Sequence, residues 1–175
     1  MKYRELLNIV NKDLQLPAIL AINSSINAEE SLSRVFEVLQ DFLDADGAFV
    51  NIFDVQKHSI VFVAHCRRNG LSSPLGSGEP PRSLRPLKII DKVLNCSDIS
   101  EDRFTQKVLS ECLPDVKSYL MLSMDKEDRH LGVGCFYSRR YDQFNEAQRN
   151  LLKSLQDSFS LMTSNALNSV LLANN

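Results

Sequence analysis

The stretch from Val116 to Asn168 most constrains what this chain can fold into. Val116–Met124 is apolar and rich in β-formers, Asp125–Arg129 is a charged turn, and His130–Ser138 is a second apolar run. Two such runs joined by a short polar turn predict an antiparallel hairpin. Arg139–Gln143 turns again, and Phe144–Asn168 then repeats apolar residues at helical spacing, with Asn145 a candidate N-cap. A hairpin followed by a long amphipathic helix has two apolar faces to bury. The remaining sequence is read as what they pack against.

Upstream the same logic applies. Lys2–Asp13 carries Leu6, Leu7, Ile9 and Val10, an amphipathic helical face that Pro17 is expected to interrupt or restart. Asn27 with Glu30 three residues on predicts a capping box. It opens a helix through Leu32, Val35, Phe36, Leu39, Phe42 and Leu43, which Asp46-Gly47 ends. Ala48–Asp54 and Ser59–Cys66 then read as a second hairpin. The twenty residues Arg67–Pro86 hold four Pro, three Gly and four Ser, so they predict a long loop. Leu87–Leu94 reads as a short helix, Asn95–Ile99 as an extended piece, and Glu101–Cys112 as another short helix ended by Pro114. In this last helix Phe104, Val108, Leu109 and Cys112 share one side.

These elements predict an α+β fold of three layers, α/β/α. A central, mainly antiparallel sheet of five or six strands would carry the long terminal helices on one face. Short helices and the long loop would cover the other. The 175 residues fit a single domain, with 1–26 an N-terminal helical segment, 27–143 the core and 144–175 the C-terminal helix. With 43% hydrophobic and 24% charged residues the composition is that of a soluble globular protein. A net charge of −2 gives no reason to expect direct binding of nucleic acid or an anionic membrane. No apolar run approaches the ~18 residues of a membrane span, and the N-terminus is too polar for a signal peptide. A cytoplasmic location is expected. Cys66, Cys96, Cys112 and Cys135 contain no CxxC pair and are expected to be reduced, mostly buried thiols.

Three segments resemble the GAF domain family. Leu131-Gly132-Val133, followed by Phe144-Asn145-Glu146-Ala147, is similar to the family's "iGvl … Ft-E-e" segment. Lys117-Ser118-Tyr119-Leu120 resembles the strand before it, and Leu39–Asp54 resembles its first helix-to-strand junction. Asp157–Leu167 is similar to an ending common in the N-terminal GAF sensors of bacterial enhancer-binding transcriptional regulators. The resemblance implies a non-catalytic, signal-sensing domain that binds a small molecule and drives a missing transcriptional or other signalling effector. No GxxxxGK[ST] phosphate loop or following helix-turn-helix is visible here.

The ligand pocket is expected between the sheet face bearing Phe49, Asn51 and Phe53 and the cover formed by Arg67–Cys112. Phe62, Cys66, Arg67, Cys96, Asp98 and Phe104 complete the expected lining. Asn51 is the most informative of these, a polar residue inside an apolar strand whose buried amide needs partners. Its alternative role is a bond to neighbouring backbone. Arg67-Arg68 and Arg139-Arg140 could grip an anion, but paired arginines at strand ends are more often solvated.

His58, His65 and His130 show no metal-binding spacing, so no metal site is assigned and the cofactor is left unidentified. Some GAF sensors hold non-haem iron through Asp, Arg and Cys. Cys96 and Asp98 could be recruited to that end, without a defining pattern. No Cys here precedes a His as in bilin-binding sensors. GAF-fold methionine sulfoxide reductases use middle-loop cysteines, which makes a thiol reductase using Cys96 and Cys112 the rival reading. A dimerisation module with a vestigial pocket is another.

The seam Leu152, Leu155, Phe159, Met162, Ala166 and Val170 extends about 28 Å at ~1.5 Å per residue, longer than one small sheet covers. A homodimer is therefore expected, joined through Leu155, Phe159, Met162 and Ala166 with Leu6 and Val10 of the first helix.

Overall fold

The computed structural model describes residues 3–25, 27–54, 59–68 and 92–173, with the side chains of 3–12, 59–63, 108, 111, 112 and 170 outside that description. Among the described residues the helices and strands follow in order: α1 (Tyr3–Ile22), α2 (Ala28–Leu43), β1 (Gly47–Asp54), β2 (Ser59–Arg67), β3 (Val93–Cys96), α3 (Arg103–Cys112), β4 (Ser118–Lys126), β5 (Arg129–Ser138), α4 (Glu146–Ser154) and α5 (Gln156–Ala173). A 3-10 turn, Ile99–Glu101, precedes α3. The strands form one sheet in the order β2-β1-β5-β4-β3, with every neighbouring pair antiparallel.

Strand alternation gives each face its own core. On one face Ala48, Val50, Ile52, Leu120, Leu122, Met124 and Phe136 meet α1, α2, α4 and α5. There α2 contributes Leu32, Val35, Phe36, Leu39 and Leu43, all buried at helical spacing. Phe136 lies between Phe36 and Phe159, with ring centroids 6.5 and 6.4 Å away. On the other face Phe49, Tyr119, Met121, Val133, Cys135 and Tyr137 meet Ile99, Leu109, Leu113 and Val116. This second core is smaller and mixes phenols and thiols with the apolar groups.

The helices start where the sequence places their caps. Asn27 Oδ1 accepts from the N–H groups of Glu29 (2.9 Å) and Glu30 (3.2 Å). Asn145 and Gln148 close a capping box, through bonds of 3.0 and 2.8 Å.

Five expectations change. The capping box expected of Asn27 and Glu30 does not close: the Asn27 N–H donates to Ser25 Oγ at 3.0 Å, and the Glu30 carboxylate pairs with Arg34. α1 runs through Pro17 without interruption. The C-terminal helix is two helices, because the Leu155 N–H turns to Leu152 and Lys153 at the end of α4. Val93 and Leu94 belong to a β-strand, Val93–Cys96, paired with Leu122–Tyr119, rather than to the end of a short helix, while Asn95 and Cys96 are extended as expected; residues 87–91 of that helix lie outside the described residues, as does the loop from 69 onward. Lastly, Leu155, Phe159, Met162 and Ala166 are not available to a second chain. They are 0%, 0%, 4% and 6% exposed inside the helix-face core of their own chain. The sheet and α2 absorb the seam. The side chains of Leu6 and Val10 lie outside the described residues.

Candidate functional site

The register stacks the side chains of the second face into rows across the sheet. Asn51 pairs with Val63 on β2 and with Val133 on β5, which itself pairs with Ser123 on β4. One step along the strands, Phe49 stands between His65 and Cys135. The next row holds Arg67, Gly47, Tyr137, Tyr119 and Cys96.

Asn51 is 3% exposed, and neither its Nδ2 nor its Oδ1 has a hydrogen-bond partner among the described residues. Its neighbours on this face, Phe49 and Val133, are apolar and buried. An amide without partners in such a wall costs about 1–3 kcal/mol for each unsatisfied group. Natural cores rarely retain that cost without a use for it.

Two rows away the phenol of Tyr137 crosses Gly47. A Cβ at position 47 would stand 2.3 Å from Tyr137 Oη and 2.5 Å from Cζ, so only glycine admits the ring. The ring stacks at a tilt on Phe49, at 6.5 Å, and on His65, at 5.8 Å. Its hydroxyl lies 2.6 Å from His65 Nε2. Burial, reinforced by the Arg67 charge, lowers the His65 pKa to about 4, so the imidazole is neutral and can accept from the phenol at neutral pH. Burial likewise pushes Tyr137 up to about 12. Arg67 is half-buried, and its Nε is enclosed without an acceptor.

At the other edge, Asp102 ties α3 to β4. Its carboxylate caps α3 through the Thr105 N–H (3.1 Å) and accepts from Thr105 Oγ1 (2.5 Å) and Tyr119 Oη (2.5 Å). Burial disfavours the charge, but these bonds outweigh it and hold the carboxyl below its ordinary range. Burial and the bond to Asp102 raise the Tyr119 hydroxyl.

The expected lining residues therefore divide. Phe49, Asn51, Arg67 and Cys96 share the second face. Phe53 is half-buried on the same strand parity. Cys66 does not share it: it packs against the helix-face core, with Sγ 3.7 Å from the Ala48 carbonyl. Adjacent strand residues point to opposite faces, so Cys66 and Arg67 cannot both line one pocket. Phe62 pairs with Ile52 in the ladder, and its side chain lies outside the described residues. Asp98 caps the 3-10 turn through Ser100 N at 2.9 Å. Phe104 is 40% exposed on α3, whose inward side is Thr105 and Leu109. Sequence reasoning missed Tyr119, Tyr137 and Asp102. The available signal was a tyrosine at matching positions on two paired strands, each needing a partner for its hydroxyl.

The described thiols are poor nucleophiles. Burial pushes Cys66 up to about 12, raises Cys96, and holds Cys135 well above the ordinary thiol range. Ser123, Asp125 and His130 cluster at the β4–β5 end, but Asp125 (2.7 Å) and Ser123 (3.3 Å) both meet His130 Nδ1. That is not the relay in which one imidazole nitrogen is oriented while the other activates a hydroxyl. Among the described residues no group of three or more His, Cys, Asp or Glu could hold a metal ion, and no helix is long and apolar enough to cross a membrane.

Comparison with known proteins adds the following. Free methionine-R-sulfoxide reductase from Neisseria meningitidis, solved with its substrate, is 12% identical over 92% of this chain and 92% of that one, with a TM-score of 0.63. The GAF domain of an Acinetobacter phosphoenolpyruvate-protein phosphotransferase is 19% identical over 96% and 97%, with a TM-score of 0.64. Its counterpart from Coxiella burnetii is 16% identical over 91% and 95%, with a TM-score of 0.65. At these identities the likeness is one of fold. No curated protein matches the sequence significantly. The sequence of residues 27–161 matches the GAF domain. With that match spanning most of the chain, and the antiparallel sheet and its helices arranged as in solved GAF domains, the chain belongs to the GAF domain family.

Proposed function

We propose that this is a non-catalytic sensor domain that takes a small molecule on the sheet face bearing Phe49, Asn51 and Tyr137. The terminal helices would pass the signal to an effector, a transcriptional activator or another signalling protein. The observation that carries the reading is Asn51, an amide buried on that face with both polar atoms unpaired. A ligand presenting one donor and one acceptor would satisfy it. The helices on the opposite face pack directly against the same strands, so a change in strand position reaches α5 and α2 through close-packed side chains. Of the two cysteines of the reductase reading, Cys96 has its thiol raised by burial, which weighs against it, and the Cys112 side chain lies outside the described residues.

Thermal melting against a defined library of small metabolites tests this. The reading expects at least one compound to raise the melting point of the parent and not that of Asn51→Leu. A library that shifts neither protein, or shifts both alike, counts against it.

Self-association belongs to the same reading, through side chains other than the core seam. Leu16 (61%) and Leu20 (63%) on α1, with Leu171 (37%) and Leu172 (76%) at the end of α5, are large apolar groups left exposed. Sedimentation should report a dimer in the parent that Leu20→Asp with Leu172→Asp weakens. A monomeric parent would remove this part of the reading.

A further inference from the structure

β2 ends at Arg67 and Arg68 follows it, and the two arginines are treated in opposite ways. Arg68 is fully engaged: its guanidinium donates to Asp44 Oδ1 (2.7 Å), Asp41 Oδ1 (3.0 Å) and the Gln40 carbonyl (3.1 Å). Arg140 shares Asp44 from the other side. These carboxylates lie at the end of α2, on the helix side of the sheet. Arg67, one residue earlier, points to the opposite face. No carboxylate pairs with it among the described residues, and its Nε is buried without an acceptor. Its neighbours there are the Tyr137 hydroxyl, which feels its charge, and the neutral His65 imidazole to which that hydroxyl is bonded. Neither carries a balancing negative charge.

A half-buried guanidinium has five N–H donors and a full positive charge. Leaving a charge partly desolvated without a counter-charge is costly. The fork geometry of the group suits a carboxylate or a phosphate, which two parallel N–H groups can grip at once. The Tyr137 hydroxyl and the rigid rings of Phe49 and His65 fix its surroundings.

We propose that the ligand of this face is a small organic anion, with a carboxylate or phosphate held by Arg67 beside Tyr137. This rests on the reading of the face as a ligand site. Arg67 supplies charge and orientation. Asn51 stands two side-chain rows away, about 13 Å along the strands at ~3.3 Å per residue, and reads an uncharged hydrogen-bonding edge at the other end of the molecule.

The test is calorimetric titration and thermal melting of the purified protein with four probes: succinate, its diamide, glycerol phosphate and glycerol. The proteins are the parent, Arg67→Met, Arg67→Lys and Asn51→Leu, with circular dichroism confirming that each is folded. The proposal expects saturable binding of succinate or glycerol phosphate to the parent at constant ionic strength, and at least about tenfold weaker binding of the corresponding neutral probe. Which anion binds separates carboxylate from phosphate recognition. Arg67→Met should lose the anion at least about tenfold, with Arg67→Lys intermediate because it keeps charge but not the fork. Equal binding to Arg67→Met, or no saturable binding of either anion to the parent, overturns the proposal. If an uncharged compound from the metabolite library then proves dependent on Asn51, the ligand site stands and only its anionic class falls.

Discussion

The two faces of the sheet are built on different terms. On the helix side, buried polar groups have been given partners: Gln148 Nε2 donates to the Phe42 carbonyl at 2.8 Å, Gln156 Nε2 to the Ser123 carbonyl at 3.0 Å, and Thr163 Oγ1 to Phe159 O at 2.8 Å. Among the described residues the unpaired side-chain atoms there are the Asn95 oxygen, whose amide nitrogen is bonded to Phe144 O, and the Ser160 hydroxyl. On the other side a whole amide and a guanidinium nitrogen are buried without partners among the described residues. One face is packed for stability. The other holds polar groups that no described residue partners. The difference teaches where to look for function: not where polar residues are numerous, but where they are buried and unmet.

The largest effect should come from the seam that both faces share. A Cβ on Gly132 would lie 2.0 Å from the Asn51 carbonyl oxygen of the neighbouring strand, at a φ of +157°. Backbone cannot yield as a side chain can, so Gly132→Ala should cost more than about 4 kcal/mol and disrupt the β1–β5 pairing. Urea unfolding or loss of soluble protein reports this. A variant of near-parental stability would show that the two strands are not held so closely.

The helix face should respond next. Phe159 is fully buried against Phe136, so Phe159→Ala should cost about 3–5 kcal/mol in urea unfolding. Leu155→Asp and Met162→Asp should unfold the monomer rather than only dissociate a dimer. Folded variants with altered sedimentation would return these residues to an interface.

Asp102 tests the edge of the recognition face. Asp102→Ala removes the α3 cap and leaves Tyr119 without its acceptor, at about 2–3 kcal/mol. A cost under about 0.5 kcal/mol would mean that α3 is held by other contacts.

A pH-dependent effect, absent at neutral pH, belongs to His65. Its folded pKa of about 4 lies below the ordinary 6.5, so on acidification the unfolded chain takes up a proton first. The stability that this neutral histidine contributes is fully present above about 6.5. It is lost as pH falls toward 4, with a slope of at most about 1.4 kcal/mol per pH unit. His65→Gln should flatten the stability profile across that window, and an unchanged profile would contradict the burial argument.

Much of this division was legible in the sequence. The hairpin of β4 and β5, both asparagine caps and the odd polar residue in β1 follow from alternation and capping chemistry. Asn51 stood out because it interrupts an apolar run, and strand parity places it with Phe49. Other features were not legible, for physical reasons. An amphipathic seam records that a helix has an apolar partner, not which partner. Leu155, Phe159, Met162 and Ala166 therefore read equally as core or dimer contact. β3 has four residues, too few for a period of two to separate from a helix end. Pro17 can sit inside α1 because tertiary contacts of Ala18 and Ile22 hold the helix around it. The contrast between Arg67 and Arg68 depends on strand parity and on carboxylates 24 and 27 residues away in sequence. No local pattern contains it.

The central claim is that Asn51 is buried for a ligand and not for the fold. Urea unfolding of Asn51→Leu without ligand tests it most directly, because the substitution replaces an unpaired amide by an apolar group of similar size. The account predicts a free energy of unfolding equal to the parent's or up to about 2 kcal/mol higher. A loss of more than about 2 kcal/mol would show that the amide has partners in the folded chain, and would contradict the account.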